Sequence, residues 1–76
     1  MPMKDVKVGD RAFTIVVLPA SRGSGADLIL VDPNDGARSV RSNTELFNAL
    51  LRYGADLSVI SDVANFLDQA LQELML

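Results

Sequence analysis

Two hydrophobic periods divide the chain near residue 41. Before it, apolar residues come in short β-branched runs; after it, they recur at helical spacing. Val6 and Val8 alternate with Asp5 and Lys7, and Gly9-Asp10 supplies a turn. Arg11 to Leu18 follows, with Phe13-Thr14-Ile15-Val16-Val17-Leu18 forming a largely buried second strand of a hairpin. Pro19 to Gly25 has no apolar period and reads as a flexible loop. Leu28 to Val31 is a third strand. Asp32-Pro33-Asn34-Asp35-Gly36 is a turn, in which Pro fixes φ, Asx side chains bond nearby backbone and Gly accepts positive φ. Ala37 to Arg41 is a short, more polar return strand, expected at a sheet edge.

Beyond Arg41, Ser42-Asn43-Thr44-Glu45 forms a capping box, with Ser42 accepting from the N3 amide and Glu45 reaching back. Leu46, Phe47, Ala49, Leu50, Leu51 and Tyr53 cover one broad side of the helix that follows, and Glu45, Asn48 and Arg52 form its solvent stripe. Gly54 ends it as a left-handed C′ residue, and Asp56 or Ser58 caps the next helix. From Leu57 to Met75 every apolar residue falls in one half-circle, an arc wider than the roughly 100° a single core requires. Either that arc closes the core alone, or one edge (Val59, Phe66, Ala70) packs inside while Ala64, Leu71 and Met75 meet a partner, or the reverse. The expected architecture is α+β: a two-layer single domain over residues 1–76, with an antiparallel sheet of three to four strands followed by a C-terminal helical hairpin, ββββαα.

Composition narrows the chemistry. The chain has 76 residues, 49% of them hydrophobic, and no Cys, His or Trp. A domain of this size buries only roughly 60–65% of its unfolded surface, so core packing or an oligomeric interface must supply its stability. Without Cys there are no disulfides and no thiol nucleophile; without His the commonest general base near neutral pH is missing. Asp62, Asp68 and Glu73 lie on the polar half of the last helix, where nothing in the sequence suggests a pocket that would make one an acid catalyst. Ser21-Arg22-Gly23-Ser24-Gly25 lacks the Gly-Lys-Ser/Thr ending and the helix start of a phosphate loop. In Asp32 to Gly36 the glycine falls fifth rather than sixth for a calcium loop. No enzyme activity, cofactor or metal is expected. The N-terminus has no apolar signal-peptide core, and no apolar run approaches the ~20 residues of a membrane span, so the expected location is cytoplasmic.

The net charge of -3 is unevenly placed. Residues 1–41 hold six basic and five acidic residues, net +1, whereas residues 42–76 hold one basic and five acidic, net -4. The acidic excess therefore belongs to the helical half.

Two resemblances bear on function. Gly36 through Leu46, ending Arg41-Ser42-Asn43-Thr44-Glu45-Leu46, resembles the hairpin-to-helix junction of methyl-CpG-binding and related three-stranded DNA-binding domains, which show Pro-x-Gly and then Arg-Ser-x-x-Glu/Gln-Leu. The chain departs in Pro33-Asn34-Asp35-Gly36, in one extra residue before Arg41, and in lacking a basic, aromatic hairpin. That resemblance implies a small DNA-binding domain using Arg38 and Arg41, with Arg22 as a further cation. The size, acidity and ββββαα layout are similar to those of small phage anti-CRISPR proteins: Ser42 to Arg52, the Gly54 link, and Val59 to Leu74 look like their two-helix ending. That resemblance implies an inhibitor that occupies a basic, nucleic-acid-handling protein. The leading reading is a non-enzymatic protein-binding module that forms a homodimer and meets a basic protein partner through Asp62, Asp68, Glu73, Ala64, Leu71 and Met75. A small DNA-binding domain and a structural homodimerisation subunit are the alternatives.

Overall fold

Short β-branched runs separated by tight turns pair most cheaply with their sequence neighbours, and the sheet is a meander. The computed structural model describes residues 2–20 and 25–75, the side chain of Met75 excepted. Strands β1 (Met3–Val8), β2 (Arg11–Pro19), β3 (Ala26–Asp32) and β4 (Gly36–Val40) form an antiparallel sheet in that order. Helices α1 (Asn43–Arg52) and α2 (Leu57–Met75) follow. The expected ββββαα layout is therefore present, with four strands and with β1 and β4 at the edges.

Register decides which side chains meet. Val6 lies opposite Phe13, Ile15 opposite Leu30, and Leu28 opposite Val40, so one face of the sheet carries Val6, Val8, Phe13, Ile15, Val17, Leu28, Leu30 and Val40, all buried. Both helices cover this face, α2 over β1 and β2 and α1 over β4. Their contribution is Leu46, Ala49 and Leu50 from α1, then Val63, Leu67 and Ala70 from α2. β2 is thus buried on one face only: Phe13, Ile15 and Val17 are enclosed, while Val16 and Leu18 on the opposite side are half-exposed. The expectation of a strand largely buried along its length gives way to alternation.

The helix ends follow local chemistry. Ser42 Oγ accepts from the Glu45 amide at 3.1 Å, the first half of the expected capping box. Gly54, at φ 102°, turns the chain out of α1. Its amide donates to the Leu51 carbonyl and the Ala55 amide to that of Leu50, both at 3.0 Å, which is a Schellman motif with Ala55 buried behind it. Asp56 is the residue that caps α2, its Oδ1 accepting from Val59 N at 3.0 Å.

α2 spends only part of its apolar arc on the core. Val63, Leu67 and Ala70 are buried, and Val59, Ile60, Phe66 and Leu74 pack against the core partly exposed. Leu57 is 81% exposed. Leu67→Ala is therefore expected to lower stability by about 2–5 kcal/mol, and Leu57→Ala to change it by no more than about 0.5 kcal/mol. Urea denaturation of the two variants checks this contrast; equal losses would contradict the assigned face.

Candidate functional site

The side of the sheet turned away from the helices is the largest feature left uncovered. Alternation places Met3, Ala12, Thr14, Val16, Leu18, Ile29, Val31, Ala37 and Ser39 there. Register aligns Met3, Val16, Ile29 and Ser39 in one row across all four strands, and Asp5, Thr14, Val31 and Ala37 in the next. Val16, Ile29 and Val31 are half-buried on this side, Leu18 is half-buried where it borders Glu73 and Leu74 of α2, and Met3 is 58% exposed. Asp5, Lys7 and Asp27 rim this apolar centre. Thr14 Oγ1 donates to Asp5 Oδ1 at 3.0 Å within it.

The helix-facing side holds an unusual group at the β3–β4 end. Asp32 is 6% exposed. Its Oδ1 accepts from the Asn34 amide at 2.8 Å, tightening the turn, while Oδ2 lies 3.7 Å from Arg11 Nη1 and makes no hydrogen bond of ordinary length. The Arg11 guanidinium in turn sits 5.1 Å from the centre of the Tyr53 ring. That ring packs on Phe13 with centroids 4.8 Å apart and planes tilted by 43°. The Asn34 amide is the chief reason the Asp32 carboxyl titrates below its ordinary value; burial pushes the other way, and the Tyr53 side chain, the Asp35 amide and the Arg11 charge add to the lowering.

The residues expected to meet a partner from α2 do not form one surface. At about 100° per residue, Asp62 and Glu73 lie within about 20° of each other, whereas Asp68 is turned about 120° from Asp62. Asp62 borders a crevice of about 450 Å³ with Met3, Lys4, Asn65, Phe66 and Gln69 along the β1 edge. Glu73 borders another of about 430 Å³ with Pro2, Leu18, Pro19 and Leu74. Ala64 and Leu71, both half-buried, fall with Asp68 and Leu57 on the flank turned away from β1. All three carboxylates are exposed; the side chain of Met75 lies outside the described residues.

The arginines of the DNA-binding alternative are likewise separated. Arg38 pairs with Leu30 on the helix-facing side, and Arg41 lies past the end of β4, outside the strand register. Arg22 lies outside the described residues. Arg38 instead shares a cleft of about 230 Å³ with Ala49, Arg52 and Tyr53. Sequence reading left Arg52 on a solvent stripe, since nothing local links residue 38 to residue 52.

Among the described residues no group of three or more acidic side chains is placed to hold a metal ion, and no helix is long and apolar enough to cross a membrane. No protein-family model matches the chain, and neither does any curated protein or solved structure.

A carboxyl with a lowered pKa contributes stability that is present above its unfolded value and lost as pH falls through the folded one. Asp32→Asn is therefore expected to be less stable than the wild type at neutral pH, the two converging as pH falls below the ordinary value of 3.8. Urea midpoints measured across that range check it. A gap that stays constant would remove Asp32 as the cause.

Proposed function

We propose that the protein is a non-enzymatic protein-binding module that self-associates through the uncovered face of its sheet. The observation that carries this reading is the register-aligned apolar centre, Val16, Leu18, Ile29 and Val31, on a face that no helix covers. Isolated apolar residues on a surface are ordinary, but a contiguous patch with a polar rim marks an interface. A second copy fits it because the rim of Asp5, Lys7 and Asp27 carries charges of both signs. Such a face does not repel itself, and a symmetric pair needs only the one patch. Two sheets packed face to face form a sandwich about 10 Å thick at its centre.

Four strands at about 4.8 Å and six residues at about 3.3 Å give a face roughly 15 by 20 Å, smaller than the ~800 Å² per partner of a standard stable interface. The association is therefore concentration-dependent rather than permanent.

This arrangement leaves both helical layers outward. Asp62, Asp68 and Glu73 are exposed there, in the half of the chain with net charge -4. A partner with a basic surface, held by an inhibitor-like module, is the binding mode such a charge favours, through steering more than through affinity.

Light scattering over a concentration series is expected to show a monomer–dimer equilibrium. Ile29→Lys and Val16→Lys are each expected to raise the dissociation constant at least roughly tenfold with the circular dichroism spectrum unchanged. Asp62→Lys combined with Asp68→Lys, on the helical layer, should leave the dimer intact. A monomer at every concentration, or a dimer indifferent to both sheet-face variants, would remove this reading.

A further inference from the structure

The cleft between β4 and the end of α1 has the composition of an anion site, and we propose that it binds a single phosphate group through Arg38, Arg52 and Tyr53. The sheet places Arg38 at a position where its neighbours in the same row, Ile15 and Leu30, are buried. An apolar residue would extend the core there. An arginine at the sheet edge carries its charge out over α1, where Ala49 provides a small floor and Arg52 and Tyr53 complete the lining. Gly36, on the same side and with open space where a Cβ would stand, adds no wall.

What sets the cleft apart is that two arginines line it together. Among the described residues the one ion pair is Arg11 with Asp32, and the Asp32 carboxylate is also engaged by Asn34. Neither Arg38 nor Arg52 has a carboxylate within 4.0 Å among the described residues. Two unpaired guanidiniums therefore share one small concavity on a chain with a net charge of -3. A bound anion removes their mutual repulsion.

Three of the last four carbonyl groups of α1 are also occupied. Those of Ala49, Leu50 and Leu51 accept from the amides of Tyr53, Gly54 and Ala55, so fewer free acceptors point toward an incoming anion. Two forked donors from separate elements, with a phenol beside them, match a tetrahedral group with several acceptor oxygens better than a planar carboxylate, which one arginine already satisfies. A cleft of about 230 Å³ has room for a phosphate group.

Amide chemical-shift titrations at constant ionic strength, with chloride as reference, test this with three probes: inorganic phosphate, adenosine monophosphate and a short single-stranded oligodeoxynucleotide. Perturbation centred on Arg38, Ala49, Arg52 and Tyr53 is expected. Arg38→Gln and Arg52→Gln are each expected to weaken binding at least roughly fivefold, and Arg41→Gln to leave it unchanged. Inorganic phosphate binding as well as the nucleotide identifies a free phosphate source. A tighter oligonucleotide, still dependent on Arg38 and Arg52, identifies a backbone phosphate. No perturbation by any probe beyond chloride would overturn the proposal, as would equal losses with Arg41→Gln or shifts confined to other residues.

Discussion

Phe13, Ile15 and Val17 project from the second strand to one side of the sheet and are fully enclosed there, in one buried cluster with residues of the other three strands and both helices. β2 lies between β1 and β3, so its inward row sets the register of both neighbours and the surface on which the helices must land. Both helices pack on that side of the sheet, α2 over β1 and β2 and α1 over β4. Among the described residues, neither helix covers the outer face.

Much of this was legible in the sequence, for a physical reason in each case. The turns at Gly9-Asp10 and Asp32 to Gly36, the Ser42 cap and the Gly54 stop all depend on residues within five positions of each other, and local chemistry decides them. The two-sidedness of β2 was not legible. Alternation reveals a strand's inner face only when its outer face is polar, and Val16 and Leu18 erase that contrast. The cluster of Arg11, Asp32 and Tyr53 was equally hidden: it brings together a strand start, a strand end and a helix C-cap. Asp32 read as a turn residue, which it also is. The acidic half of α2 was visible as composition, but its division into two flanks needed the core direction that Val63 and Leu67 define.

On the core side of the sheet, polar residues stand at the β1 edge (Lys4), at the start of β2 (Arg11) and at the end where β3 and β4 join. Asp32 and Arg38 stand there in place of apolar residues, and Tyr53 lies against both the charged group and Phe13. The buried carboxylate is held by the Asn34 amide and lies 3.7 Å from the Arg11 guanidinium, and both favour its charged form although little of it reaches water. The opposite end of the same face, toward Val17, Leu28 and Val40, is apolar throughout. The domain thus has a dry end and a polar end along one core.

The meander has a consequence for how the molecule forms. Each strand pairs with the one just before it, so the loops that must close are short and their entropic cost is small. Such local pairing favours fast assembly. α2 is the exception, because it returns from the end of the chain to lie over β1 and β2. Until it arrives, a nascent sheet exposes apolar side chains on both faces, and its β1 edge is open. The last helix therefore acts as the latch of the folding reaction, and the interval before it closes is when the chain is most exposed to pairing with its own copies.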